Sequence, residues 1–245
     1  MKELKNWDNK TWLSSSSYIN LFNSFLLKKK KLNKNSKILD IGCGRGKIFG
    51  SLSRKLSLTN KPIGIDLVTH KDVDKSIDFR NEDIFKFFKA NKGKFDLIMI
   101  KQTLHFFDKV KRKKLIKVCK VNLKKNGVLI IFSLNTVNNE IPCFKLMKNK
   151  LNRGLVRDSI MLKSACKILK NSKIDKFKFK VLITKNKYTQ MLKQKYISCL
   201  VNLSKSQIIK GINEIKDIFP NKILFEDILI CIKYKHSIKK LTNIE

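Results

Sequence analysis

Three glycines at alternate positions, Gly42, Gly44 and Gly46, follow Asp40 at the end of a short apolar run, Lys37-Ile38-Leu39-Asp40-Ile41. Glycine lets the backbone turn through left-handed conformations and approach a ligand closely. A helix that begins behind such a loop offers unpaired N–H donors to the same ligand. The spacing is not that of a phosphate-binding P-loop, because Lys47 is followed by Ile48 and not by Ser or Thr. It is not G-x-G-x-x-G either, because position 47 is Lys. Asp66 ends a second apolar run, 20 residues beyond Gly46. A carboxylate at that place can accept hydrogen bonds from both hydroxyls of a ribose. Asp83 follows a third run, where an adenine amino group could be read.

These residues need a scaffold that brings strand ends together. Apolar runs at 38–41, 63–66, 77–79, 95–100 and 128–132 alternate with helical spacing, as in Ile48, Leu52 and Leu56. Near-continuous apolar strands between helices predict a parallel sheet covered on both faces. Ile84, Phe85, Phe87 and Phe88 suggest a short helix. Asp108 is placed to cap the helix after the fourth strand, and Asn126-Gly127 to end it. Residues 141–171 read as helical, and 177–184 and 223–234 as strands. Between those strands Ser204-x-x-Gln207 has the form of a capping box. Tyr18 to Leu27 fits an amphipathic helix, followed by a solvated lysine end at 28–31.

The formal charge of +36 raises the question of a nucleic-acid partner. Forty-nine of the 55 basic residues are Lys, six are Arg, and there are only two Ala. Codon bias toward AT explains much of such a balance. Phosphate and base recognition leans on the bidentate fork of Arg. A nucleic-acid partner therefore stays possible but is not favoured. The six cysteines have no C-x-x-C pair and no zinc spacing, so no metal is expected and the thiols read as reduced. The N-terminus has no apolar signal region, and no stretch approaches a membrane span. The expectation is a cytoplasmic protein without membrane contact, a monomer or weak homodimer.

The segments "ILDIGCGRG" (38–46), "IGIDL" (63–67), "NEDIF" (81–85) and "FDLIMIKQTLHFF" (95–107) resemble, in order, class I S-adenosylmethionine-dependent methyltransferases. Leu104-His105-Phe106 is similar to a motif of small-molecule methyltransferases of the ubiquinone-biosynthesis and trans-aconitate type. Here Phe106 stands in place of that motif's second His, and Lys101 where a small residue is common. The resemblance implies an α/β fold: a doubly wound, Rossmann-like, seven-stranded, mostly parallel sheet with an antiparallel terminal strand and helices on both faces. It implies a lid over 1–35, a cofactor-binding core over 36–134 and a substrate-shaping remainder over 135–245. It places Asp40, Gly42, Cys43, Gly44 and Gly46 at the methionine part of S-adenosyl-L-methionine. Asp66 would bind the ribose, Asp83 with Ile84 the adenine, and Leu67 is also expected at the cofactor. Lys101 is expected beside the cofactor and Gln102 beside the substrate.

A sulfonium methyl group is already activated, so such an enzyme mainly aligns an acceptor with it and excludes water. His105, just beyond a strand end, is the candidate base. His70 and His236 lie in polar contexts, are expected to be exposed, and receive no role. Trp12 and Tyr18 are candidates for a lid over the substrate. Arg153 and Arg157 are four apart and would share a helix face, where they could hold an anionic group of a small-molecule acceptor. Two other readings stay open: an RNA methyltransferase with a lysine-rich surface, and a non-catalytic cofactor-binding module.

Overall fold

A computed structural model of the chain describes residues 9–91 and 93–237. Trp7 and the other residues of 1–8 in the expected lid lie outside the described residues, as do 92 and 238–245. Helix α1 (Ser16–Lys29) precedes β1 (Ile38–Ile41), α2 (Lys47–Leu56), β2 (Ile63–Asp66) and β3 (Asp78–Asn81). Then come α3 (Ile84–Ala90), β4 (Phe95–Lys101), α4 (Lys109–Val121) and β5 (Leu123–Leu134). The chain closes with α5 (Lys145–Ile168), β6 (Lys173–Thr184), α6 (Lys185–Lys193), α7 (Lys205–Ile218) and β7 (Lys222–Lys235).

The seven strands lie in the order β3-β2-β1-β4-β5-β7-β6. All pairs from β3 to β5 are parallel, and β7 runs antiparallel to both β5 and β6. The order reverses between β1 and β4, where a doubly wound sheet opens its ligand crevice. Alternation along the strands feeds two cores. Ile38, Leu97, Met99 and Phe132 face the core that holds α1, α2, α6 and α7. Leu39, Ile41, Ile98 and Ile100 face the core that holds α3 and α4. Helix α5 serves both, with Met147, Leu151 and Leu155 in the first and Met161, Leu162 and Ala165 in the second.

The predicted caps form. Asp108 accepts from Lys111 N at 2.8 Å, and Ser204 and Gln207 close a reciprocal box. One expected boundary moves. Helix α4 is already capped at Asn122, and Asn126-Gly127 lies inside β5. Asn126 takes a left-handed φ of 62°, and the β4–β5 register shifts between Phe95 and Leu97. The pair thus marks a bulge rather than a helix end. His70 also departs from expectation: it is buried, at 6% exposure.

Helix α1 is laid on the sheet by rings. Phe22 packs against Phe132 and Phe177, and Tyr18 against Phe177 and Phe179. Ahead of it, Trp12 donates its indole N–H to Asp227 Oδ2 at 2.8 Å, across 215 residues of chain. Burial pushes the Asp227 carboxyl up, against the pull of Trp12 and Lys101. Trp12→Phe keeps the ring contacts but leaves that buried carboxyl without its donor. The variant should unfold more easily by about 1–3 kcal/mol in denaturant titration. The loss should be larger at pH 8 than at pH 4, because only the ionised carboxylate needs the donor fully.

Candidate active site

The loop between β1 and α2 lies at the reversal of strand order. Gly42, Gly44 and Gly46 all have positive φ, at 73°, 54° and 67°. Gly42 N and Cys43 N both donate to Ile65 O of β2, at 2.8 and 3.1 Å. A Cβ on Gly42 would meet Thr103 Oγ1 at 2.1 Å, and one on Gly46 would meet Ile77 Cδ1 at 2.1 Å. A Cβ on Gly44 would meet nothing within 4 Å, so this residue borders open space. Gly46 N-caps α2 and, lacking a side chain, gives its first-turn N–H groups no side-chain acceptor.

Two carboxylates frame the loop. Asp66 Oδ2 accepts from Gly44 N at 2.8 Å, and Oδ1 from Val68 N at 2.9 Å. The side chain that could read a ribose therefore also fixes the loop. Asp40 lies beneath, fully buried, with Oδ1 unpartnered. Burial pushes its carboxyl up to about 8; Asp66 pushes the same way and Lys101 opposes. Burial also pushes the Cys43 thiol up, and Asp40 and Asp66 add to it. Leu67 follows Asp66 and is exposed. Asp83 caps α3, accepting from Phe85 N and Lys86 N at 2.8 and 3.2 Å, while Ile84 enters the second core.

At the end of β4, Lys101 carries its ammonium 5.6 Å from the Tyr18 ring centre and 5.7 Å from that of Phe22. Gln102 turns the chain with a φ of 51° and donates its N–H to Phe132 O at 2.9 Å. Thr103 then packs on Gly42, and a 3-10 turn, Leu104–Phe106, begins. His105 is half-buried with Nε2 unpartnered, and its ring lies against Phe106. Burial lowers its pKa, with Asp158 opposing and Arg157 and Arg112 assisting. Tyr18 is wholly buried with an unpartnered hydroxyl. Arg153 and Arg157 stand exposed on α5, and Arg157 meets Asp158 at 3.3 Å.

The structure thus brings Asp40, the glycine loop, Asp66, Leu67 and Lys101 to one end of the sheet. Trp12 and Tyr18 lie in the core beside it, and Arg153 and Arg157 stand on α5 near His105. Asp227 joins the group around Trp12 unannounced. Its signal was present in the strand: Ile223, Phe225, Leu229 and Cys231 alternate toward the core, and Asp227 occupies the same face. Among the described residues no cluster could hold a metal ion, and no helix is long and apolar enough to cross a membrane.

Residues 39–131 match a family model described as a methyltransferase domain. The match spans less than half of the chain and contains the glycine loop, Asp40, Asp66, Asp83 and His105, so this stretch is similar to a methyltransferase domain. No curated protein matches it. Its fold is shared with a candidate methyltransferase of an antibiotic-biosynthesis pathway from Anabaena variabilis. That likeness has a TM-score of 0.61 and 12% identity, covering 86% of this chain and 96% of that one. A candidate methyltransferase from Bacillus halodurans gives 0.54 at 12% identity, covering 88% and 99%. The plantazolicin methyltransferase BpumL, in complex with a monoazolic desmethylPZN analogue and S-adenosylhomocysteine, gives 0.52 at 16%, covering 95% and 88%.

The glycines differ in what they tolerate. Gly44→Ala should cost only the left-handed penalty of about 1–2 kcal/mol and stay folded. Gly42→Ala adds a collision with Thr103 and should cost about 2–5 kcal/mol. Paired chemical-denaturation curves of the two variants check the difference; equal losses would contradict the close packing on Thr103.

Proposed function

We propose that the protein transfers the methyl group of S-adenosylmethionine to a small-molecule acceptor that carries an anionic group. The observation behind the cofactor part is the buried, unpartnered Asp40 Oδ1 under a loop whose Gly44 borders open space. That donor and acceptor set fits the group. The α2 N–H groups suit its carboxylate, the Asp40 carboxyl suits a cationic centre, and the remaining lone pairs of Asp66 suit ribose hydroxyls. Exposed Leu67 offers an apolar surface to the purine. When bound, the cofactor supplies a methyl group already activated by its sulfonium sulfur.

The chain's own residues then have limited work to do. The glycine loop and Asp66 fix position, and the rings around Tyr18 and Phe22 keep water away from Lys101. His105 is the proposed proton acceptor when the acceptor atom carries a proton. Its lowered pKa keeps the imidazole neutral near pH 7, the form able to take one. Arg153 and Arg157 are proposed to receive the anionic group, with BpumL as a fold precedent for acting on a compound outside nucleic acid.

A labelled-methyl assay against a metabolite extract and total RNA in parallel tests this reading. Label should enter the small-molecule fraction; label in RNA alone would overturn the acceptor class. Asp66→Ala should abolish the thermal shift given by S-adenosylhomocysteine.

Asp40 adds a pH signature. Its carboxyl is raised from 3.8 to about 8, so its ionisation opposes folding. Apo stability should therefore fall as pH rises from about 4 to about 8. A cationic ligand nearby favours the ionised form, whereas S-adenosylhomocysteine lacks the sulfonium charge. The affinity ratio of S-adenosylmethionine to S-adenosylhomocysteine should rise between pH 6 and pH 9 and be flat in Asp40→Asn. Calorimetric titration at four pH values reads it directly.

A further inference from the structure

Helices α4 and α5 lie side by side and run in the same direction, for Lys120 Nζ near the end of α4 donates to Ile168 O at the end of α5, at 3.5 Å. Between them is a groove of about 370 Å³. Its two ends differ in chemistry. Toward the helix starts it is lined by Lys109, Arg112 and Lys113 from α4 and by Arg153 and Arg157 from α5. Toward the helix ends it is lined by Ile116, Ile160, Met161, Ala165 and Ile168, with Ser164 as the polar side chain among them. At the lower end Lys120 Nζ reaches across to Ile168 O.

The charge at the upper end is not balanced by its surroundings. Five cations line it, and Asp158, bonded to Arg157, is the acid packed beside them. Asp108 faces the start of α4, where its carboxylate caps the helix and pairs with Lys111 at 3.9 Å. Arg112 Nε donates to the Asp108 backbone oxygen at 3.3 Å. Three of the chain's six arginines meet in this one groove. Codon bias that favours lysine does not place them there, and guanidinium forks are the groups that grip carboxylate or phosphate. His105, next in the chain to the lining Leu104, has Nε2 lacking a partner and Arg112, Arg157 and Asp158 as the charges acting on its ring. Leu104, which lines the groove, follows Thr103, the residue packed on Gly42 of the cofactor loop.

We infer that the α4–α5 groove binds an amphiphilic anion, a carboxylate or phosphate head on an aliphatic body. The head lies among Arg112, Arg153 and Arg157 beside His105, and the aliphatic body runs down toward Ile168. A volume suited to one small ligand fits a single dissolved molecule rather than a membrane surface. The segregation of cations from aliphatic side chains along parallel helices sets the direction of the ligand. The site rests on the methyltransferase reading only in making this ligand the methyl acceptor, whose head then lies at the carboxyl edge of the sheet, next to the cofactor loop.

Octyl phosphate, below its micelle concentration, is the probe for calorimetric titration of the full chain. It should bind at least about tenfold more tightly than inorganic phosphate or octanol, since neither alone fills both ends. Arg153→Gln/Arg157→Gln should weaken it at least about tenfold while the thermal shift with S-adenosylhomocysteine persists. Ile160 is two-thirds exposed, so Ile160→Asn should fold and should weaken octyl phosphate without changing inorganic phosphate. Absence of octyl phosphate binding, equal binding of inorganic phosphate, or binding indifferent to these substitutions would overturn the inference. So would arginine-dependent cosedimentation with phosphatidylglycerol vesicles in the absence of monomer binding. Loss of the S-adenosylhomocysteine shift in the unaltered protein would instead overturn the cofactor reading, and the octyl phosphate result would still stand by itself.

Discussion

Between β1 and α2 the backbone turns through three left-handed residues in a space shared with two neighbouring strands. Ile65 O of β2 receives two of its N–H groups, Asp66 receives a third, and Thr103 beyond β4 presses on Gly42. A side chain at Gly42 would collide with Thr103 up to its Cβ, and one at Gly46 would have to displace the tip of Ile77. Much of the site follows from that closeness. It holds the start of α2 toward the crevice, buries Asp40 beneath, and ties the acid of β2 to the loop. One carboxylate thus shapes the loop and remains available to a ligand, because each of its oxygens keeps a further lone pair.

The parts legible in the sequence are those governed by local rules. Apolar runs of strand length, capping residues such as Asp108 and Ser204, and the glycine spacing each act over a few residues. The order of the motifs then fixed which strand ends would meet. Pairings across long chain separations were not legible in the same way. The Trp12–Asp227 hydrogen bond joins the first described residues to the last strand, and no local pattern names its partner. Asp227 itself could have been noticed as a charge on the inward face of an alternating strand. The burial of His70 is not legible in the sequence, because its polar neighbours do not reveal what covers it in space. Asn126-Gly127 carries a turn signal in either setting, and only pairing with β4 makes it a bulge.

Charge is the least transferable of the sequence signals. A net +36 looks like one property, yet its carriers behave differently in the structure. Many lysines occupy solvated helix faces, where a point charge on a flexible stem costs little and says little. Lys101 is different, set over two aromatic rings at a strand end between Asp40 and Asp227, whose carboxyls it pulls down. Its cation limits how far burial can drive either acid toward neutrality, so it links the cofactor side of the sheet to the Trp12 side.

The arginines separate by the same reasoning. Arg54 holds Asp74 at 2.7 and 3.0 Å, and Arg80 holds Asp78 at 2.9 and 3.1 Å, so these two answer acids of the chain itself. Arg157 reaches Asp158 with one oxygen shared by two nitrogens at 3.3 Å, a looser contact than either. Arg153 stands one turn before it, and Arg112 faces both across the groove. A composition that disfavours arginine, combined with too few acids to answer it locally, makes this end of α4 and α5 an electrostatic demand directed outward. Five cations gather at one end of the groove, whereas Lys120 at the other already donates to Ile168 O and sits over the Tyr234 ring, so the arrangement defines the orientation of a ligand as well as its charge.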